Sequence, residues 1–392
     1  MALLDAPRSI ARIAGTALRL GGERAYARFT SFPMGVEALD PDWLSGALAG
    51  QYPGVRASAL MLLDQHSGTT SRARIRVEYA AMGDGPEAPP ANLFVKLTPR
   101  PLAQRLFLDI TGIGRNEVRF YRDLRPGLPV RAPRLHGVSS FGGDRVFVML
   151  LEDLGERDVR LAAVGDRVSL EEARGVVCAL ARLHAHFWES ERFADELAWV
   201  PCYERRVRRD LPWERFVTGQ MVRIAVRRFG AELAPELREI AALCTDARDG
   251  LERLWAEGEH TLCHGDCHVG NLFFEPDAVG FLDWQVCARA PGMRDVSYFL
   301  CTSFPSSLRA AHEHELIDVY LGALAEAGAP APERDVARRQ HRLFALYTFI
   351  AAAFTAAAGG ELQSEEIAMA GLRRATRAAI ELGSVAAARA LI

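Results

Sequence analysis

One short stretch gathers the groups that phosphate and metal chemistry needs. It runs His264-Gly265-Asp266-Cys267-His268-Val269-Gly270-Asn271 and is followed by Phe281-Leu282-Asp283-Trp284. An Asp is followed five residues later by an Asn, and seventeen residues after the first Asp comes a second. Apolar, strand-like runs lie between them, Leu272-Phe273-Phe274 and Gly280-Phe281-Leu282. Phosphoryl transfer needs a carboxylate beside the attacking hydroxyl and oxygen ligands for Mg²⁺. Asp266 suits the first task, and Asn271 and Asp283 suit the second. A hairpin turning at Glu275-Pro276-Asp277 would bring Asn271 and Asp283 together. The plain alternative is a pair of acidic surface turns beside two short strands.

A second residue points the same way. Lys96 is the only lysine in 392 residues, and the other 46 basic side chains are all Arg. It ends the apolar run Asn92-Leu93-Phe94-Val95, which reads as a strand. Lys is a compact charge on a narrow stem and Arg is a wide planar fork, so the two do not substitute for each other at a tight phosphate site. The Asp, Asn and later Asp have the layout of the His-Arg-Asp-x-x-x-x-Asn catalytic loop with its Asp-Phe-Gly, in which the phosphate-contacting Lys also lies on a strand.

The elements that must position these groups follow from the pattern. Residues 1–50 read as a helical extension, closing on Asp40-Pro41-Asp42-Trp43-Leu44, a helix start with Pro in the first turn. Residues 51–153 read as a β-rich, nucleotide-binding lobe. From Arg72 to Tyr79 the chain alternates, with Ala73, Ile75, Val77 and Tyr79 on one face and Arg72, Arg74, Arg76 and Glu78 on the other. The turn before it, Gly68-Thr69-Thr70-Ser71, is small and hydroxyl-rich, suited to laying backbone N–H groups over phosphates. Glu117 lies twenty-one residues past Lys96 in a helical segment and could hold the ammonium. Strands over 134–139 and 145–151 run into Glu152-Asp153-Leu154-Gly155, a linker whose backbone, Glu152 to Leu154, would meet adenine. Residues 154–392 read as a larger, mostly helical lobe carrying the catalytic loop, the metal site and the acceptor-binding region. Ser169-Leu170-Glu171-Glu172 is a capping box opening a long amphipathic helix. On it, His184 and His186 read as packing or polar surface. Residues 201–260 read as helical, and three helices are expected from about residue 306.

Composition narrows the classes. The formal charge of −3 offers no basic field for nucleic acid. The cluster Arg205-Arg206-Val207-Arg208-Arg209 is flanked by Glu204 and Asp210 and reads as a solvated helix face. Seven scattered Cys do not suggest a disulfide framework, so the chain is expected to be reduced and cytoplasmic. No secretory signal is expected, since Asp5, Arg8, Arg12 and Arg19 interrupt the first twenty residues. Leu343 to Gly360 runs uncharged for eighteen residues but is Ala-rich and polar in places, so a buried helix is expected rather than a membrane span.

Three decoys fail. Cys263, His264, Cys267 and His268 crowd onto one loop without the second, separated ligand couple of a structural zinc site. Gly112-Ile113-Gly114 begins a dinucleotide fingerprint, but Glu117 stands at its third glycine position. A Walker A loop is excluded, because the only Lys follows Val95.

With these residues in place, the chain resembles the aminoglycoside-phosphotransferase superfamily of small-molecule kinases, and more narrowly its ecdysteroid-kinase-like (CHK-kinase-like) branch. The resemblance covers about residues 40 to 355. It rests on Gly68-Thr69-Thr70-Ser71, Val95-Lys96, Glu117 with Phe120-Tyr121, Leu151-Glu152-Asp153-Leu154, His264-Gly265-Asp266 with Asn271, Asp283-Trp284-Gln285, and Arg294-Asp295 before Tyr298-Phe299-Leu300. It implies an α+β, protein-kinase-like bilobal fold using ATP and Mg²⁺. It implies Asp266 as catalytic base, Asn271 and Asp283 as metal ligands, Lys96 held by Glu117, and Asp295 as a support for the catalytic loop. Gly265 replaces the Arg of protein kinases and Trp284-Gln285 replaces their Phe-Gly. No Ala-Pro-Glu follows. The helical insert between the linker and the catalytic loop suits a small-molecule pocket better than a peptide groove, so a small hydroxylated acceptor is expected rather than a peptide, with neither nucleic acid nor membrane as partner. Phe344, Tyr347, Phe349 and Phe354 lean the expectation toward an apolar or neutral acceptor. A kinase-like protein that binds nucleotide or ligand without turnover is the alternative reading.

Overall fold

The computed structural model describes residues 6–163, 165–202, 211–231, 233–359 and 365–392. The Arg205–Arg209 cluster and Gly360 lie outside the described residues. The chain divides into two compact units, Met1–Leu128 with Ala132–Val159, and Pro129–Arg131 with Arg160–Ile392.

The first unit is built on a five-stranded antiparallel sheet. Two helices come first, α1 (Ala6–Phe29) and α2 (Pro41–Leu48). Asp40 caps α2 by accepting the Trp43 N–H, and Pro41 sits where a missing N–H costs nothing. The strands are β1 (Val55–Ser67), β2 (Ser71–Met82), β3 (Asn92–Leu97), β4 (Leu135–Phe141) and β5 (Val146–Glu152), in the order β1-β2-β3-β5-β4. Ala73, Ile75 and Val77 of β2 are buried as their alternation requires, and Tyr79 is half-buried. They join Leu93, Val95 and Leu150 in one core with Leu44 and Leu48 of α2. Each of those two leucines contributes roughly 2 kcal/mol by leaving water. Helices α3 (Leu102–Thr111) and α4 (Ile113–Arg119) lie between β3 and β4 in the chain.

The second unit is mostly helical. Its capping box closes as written: Ser169 accepts the Glu172 N–H and the Glu172 carboxylate accepts the Ser169 N–H, opening α5 (Leu170–His186). Then come α6 (Leu211–Phe229), α7 (Leu237–Asp246) and α8 (Arg248–Trp255). The short strand β6 (Arg160–Leu161) pairs with β8 (Leu272–Glu275), which forms a hairpin with β9 (Ala278–Phe281). A second pair joins β7 (Thr261–Cys263) to β10 (Ala288–Ala290). The chain ends in α9 (Met293–Ser303), α10 (Ser306–Glu326), α11 (Arg334–Ala358), α12 (Glu365–Glu381) and α13 (Ser384–Arg389).

From residue 306 the described residues hold four helices, not three. Gly383 turns at φ 61° and lets the chain start the short α13, a break its Ala-rich flanks conceal. Helix α11 is long and apolar enough to cross a bilayer, yet 56% of its apolar window is buried inside the protein. It packs against α6, α9 and α12 as the core helix of this unit.

Candidate active site

In the first unit, Lys96 sits on β3, paired across the sheet with Arg72 and Met149. Its ammonium lies 2.7 Å from the Glu117 carboxylate of α4. The two side chains are only 5% and 1% exposed. A buried charge pair of this kind holds only when geometry and further hydrogen bonds offset desolvation. The β1–β2 turn is tight, with the Gly68 N–H bonded to the Thr70 carbonyl. Gly68, Thr69 and Ser71 are half-buried. Thr70 is fully buried, and its hydroxyl has no hydrogen-bond partner among the described residues. Glu152 ends β5 and is used structurally: its carboxylate accepts the Arg134 N–H at 3.0 Å and pairs with Arg157. Asp153 takes Arg74 at 3.0 Å and caps the short 3₁₀ turn that begins at the buried Leu154.

In the second unit, the loop after β7 carries Asp266. Its Gly265 has φ 87°, and a Cβ there would stand 2.4 Å from the Val286 carbonyl oxygen. Only glycine fits this backbone. The loop is anchored from α9, whose first turn holds Asp295. That buried carboxylate accepts the His264 N–H at 2.6 Å and the Gly265 N–H at 2.9 Å. Burial alone would raise the Asp295 pKa. The bond from His184 and the bond from Gly265 outweigh it and hold the group below its ordinary value. His184 is therefore neither polar surface nor simple packing: it is fully buried between Asp295 at 3.4 Å and Tyr320 at 3.0 Å.

His264 is fully buried, and burial lowers its pKa. Its Nε2 donates to the Leu282 carbonyl at 2.8 Å and its Nδ1 accepts the Asp266 N–H at 3.2 Å, which defines a neutral imidazole. The ring thus ties the Asp266 loop to the residue before Asp283. The hairpin does the rest. The Leu282 N–H bonds the Asn271 carbonyl at 2.8 Å, bringing the Asn271 and Asp283 segments side by side. Asn271 spends its amide hydrogens on the Asp266 carbonyl at 2.8 Å and carboxylate at 3.1 Å. That leaves Oδ1 as the acceptor end of the amide. Asp283 holds φ 59°, a left-handed conformation rare outside glycine, next to the 3₁₀ turn Trp284–Val286.

Asp266 itself is 27% exposed at its side chain. Two further groups meet it. The Tyr298 phenol lies close to the Asp266 carboxylate, and burial, with the Asp266 charge, pushes the phenol pKa well up. His268 places Nε2 3.8 Å from Asp266 Oδ2, while its Nδ1 accepts the Gly270 N–H at 3.0 Å. Asp266, His268 and Tyr298 share a cavity of about 320 Å³ with Thr302, Glu366 and Arg374. Sequence reasoning gave Tyr298 no role and weighed His268 only as a zinc decoy. The available signal was helical spacing: Asp295, Tyr298 and Thr302 stand at i, i+3 and i+7, one face of α9. None of Phe344, Tyr347, Phe349 and Phe354 lines this cavity; α11 contributes the smaller Ala352 and Thr355. Phe344 and Phe349 are buried in the core instead.

The zinc decoy dissolves on inspection of donors. Burial pushes both thiols well up. Cys263 donates to the Ala290 and Pro291 carbonyls and Cys267 to the Asp295 carbonyl. His184, Cys263 and Asp295 do cluster, but they are committed to these same structural bonds.

Comparisons place the chain. Among solved structures it is similar to a candidate aminoglycoside phosphotransferase from Ralstonia eutropha JMP134, at TM-score 0.54 and 15% identity, over 88% of this chain and 98% of that one. It is similar to a choline kinase from Cryptosporidium parvum Iowa II at TM-score 0.54 and 12% identity, over 89% and 98%. At such identities these likenesses show the fold, the α+β protein-kinase-like fold expected from the sequence. No curated protein matches the chain. The model of the ecdysteroid kinase-like family matches residues 69–329, the span that carries four of the five strands of the sheet, the Lys96–Glu117 pair and the Asp266 loop. The chain therefore belongs to the ecdysteroid kinase-like family and is, by that membership, a small-molecule kinase.

Proposed function

We propose that this kinase moves the γ-phosphoryl group of ATP to a hydroxyl of a small molecule bound against Asp266. The observation that carries the reading is the Asp266 carboxylate, partly exposed in a cavity, oriented by the Asn271 amide and lined on one side by Tyr298. A carboxylate offers about four acceptor sites, so this donor leaves room for an incoming hydroxyl. Asp266 then orients that hydroxyl and takes its proton as the oxygen attacks phosphorus and the bond to the departing diphosphate breaks. The hydrogen bond from Asn271 fixes the carboxylate in direction.

Asn271 Oδ1 and the Asp283 carboxylate are the oxygen donors that suit Mg²⁺, a hard cation. The metal, when bound, would neutralise charge on the phosphates. Lys96, held by Glu117, serves as the phosphate-facing ammonium. The Gly68-Thr69-Thr70-Ser71 turn would lay backbone N–H groups over the phosphates. The backbone at Glu152 and Leu154 is the adenine-facing strand end. The compartment we assign is the reducing cytoplasm, in keeping with seven free cysteines.

The test is ADP release from Mg·ATP with alcohols, amino sugars, macrolides and sterols, run beside Asp266→Asn. We expect turnover with at least one class and its loss, by about a thousand-fold or more, in the variant, with Mg·ATP binding nearly intact. Mg·ATP binding without ADP for any acceptor would favour the alternative, a binding protein without turnover.

A further inference from the structure

The cavity beside Asp266 contains a cation that the phosphotransfer reading does not use. Arg374 projects from α12 into the cavity wall. It is half-buried, and one N–H of its guanidinium donates to the Thr302 carbonyl at 2.9 Å. A guanidinium has five N–H donors and no acceptor. No carboxylate pairs with it among the described residues, whereas several more deeply buried arginines are paired. The buried Arg309 is paired with Glu313 and Glu381, the buried Arg105 with Glu23, and Arg248 with Glu252. Burial without a counter-charge lowers the Arg374 pKa. A half-buried cation without a counter-charge is costly unless something else supplies the negative charge.

We infer that the acceptor of this kinase is a hydroxy acid: a compact, largely apolar molecule with one hydroxyl at Asp266 and an anionic group, carboxylate by preference, on Arg374. This rests on the phosphotransfer reading of Asp266. The spacing follows from α9. Tyr298, which lies by Asp266 in the cavity wall, and Thr302, which bonds Arg374, are one helical turn apart, roughly 6 Å along the axis. The hydroxyl and the acid group therefore sit at separated positions on the acceptor, not on adjacent carbons. Such separation keeps the acid away from the Asp266 charge. The cavity lining also includes the small or apolar Val269, Ala352 and Gly371. About 320 Å³ is at the low end for a ligand cavity, which suits a compact acceptor. Arg is the residue whose planar fork matches a carboxylate with two parallel bonds. Glu366, exposed at the start of α12, also lines the cavity and is the group that would argue for a cationic acceptor instead.

Three probes of one carbon count separate these cases: ω-hydroxyhexanoate, hexanediol and aminohexanol. Each is measured by ADP release and, in parallel, by calorimetric binding to the Mg·ATP-free protein. For the wild type we expect kcat/KM for the hydroxy acid to exceed that for either other probe by about ten-fold or more. In Arg374→Gln the acid-to-diol ratio should collapse to near one, and Arg374→Lys should restore part of it. A loss of packing alone would lower both probes together and leave that ratio unmoved. Equal use of the three probes, a preference for the amino alcohol, or an acid preference that survives Arg374→Gln would overturn the assignment. If the acid binds the wild type, loses affinity in Arg374→Gln and yet releases no ADP, the anion site stands and the phosphotransfer reading fails.

Discussion

Lys96→Arg keeps a positive charge in a chain that uses Arg at every other basic position. The exchange is nevertheless demanding. The ammonium sits 2.7 Å from the Glu117 carboxylate, and both side chains are almost fully buried. A guanidinium needs more width and would take a bidentate grip on Glu117, turning its donors away from phosphate. We expect kcat/KM for ATP to fall about 100-fold or more, equivalent to roughly 3 kcal/mol of transition-state stabilisation. The melting temperature should move little, since the apolar stems pack alike. Steady-state kinetics and a melting curve on the same variant decide it. Near-normal activity would show that Lys96 is not at the phosphates.

At the scale of elements, the Asp266 loop depends on a close backbone approach. Gly265→Ala would drive a methyl group to 2.4 Å from the Val286 carbonyl oxygen at φ 87°. We expect a cost of about 2 kcal/mol or more and a loss of activity beyond the loss of folded protein. Urea unfolding beside kinetics checks it; unchanged stability would mean that the loop has another resting place. The sheet of the first unit carries a pH signature of its own. His136 on β4 is buried, and burial, helped by the Arg134 charge, lowers its pKa from 6.5 to about 4. Its Nδ1 meets the Tyr52 hydroxyl at 2.7 Å, which suits a neutral ring. A histidine pKa that is lower folded than unfolded makes protonation favour the unfolded chain. The neutral ring's full contribution holds above pH 6.5 and is lost as pH falls toward about 4. The loss is on the order of 3 kcal/mol. The difference in unfolding free energy between the wild type and His136→Gln, measured at neutral pH and again at about pH 4.5, should shrink on acidification. A difference independent of pH would contradict the shift.

At the scale of the whole molecule, ligand binding becomes stability. A ligand that binds only the folded protein at a hundred times its Kd adds about 2.7 kcal/mol. Mg·ATP should therefore raise the melting temperature of the wild type. Asp283→Ala should abolish most of that rise, because it removes the charged metal ligand, while Asp266→Asn should retain it. If both variants lost the rise equally while staying folded, the division of roles between the two carboxylates would be wrong. No generic protein substrate should accept phosphate from this enzyme, since the cavity at Asp266, about 320 Å³, has the size of a small-molecule site; phosphate transfer to casein or histone would contradict this.

The parts of this protein that could be read without coordinates are those set by neighbours in the chain. Alternation marked β2, Asp40 and Ser169 marked helix starts, and the Pro276-Asp277 turn marked the hairpin that brings the Asn271 and Asp283 segments together. Each is a local rule of pleat, cap or turn, so a few residues suffice. The Asp266, Asn271 and Asp283 spacing was legible for the same reason. The cavity was not. Its walls come from residues as far apart as Asp266, Ala352 and Arg374, and only packing in three dimensions decides which apolar faces meet. Periodicity says that α11 has apolar surface, but not that Phe344 and Phe349 fill the core while Ala352 and Thr355 reach the pocket. Likewise, whether a histidine or arginine meets a carboxylate depends on partners a hundred residues away. His184 found Asp295 and was buried with it; Arg374 found a carbonyl and no carboxylate among the described residues. Sequence alone set the groups available for chemistry, and the tertiary structure decided which of them were spent on holding the fold and which face a substrate.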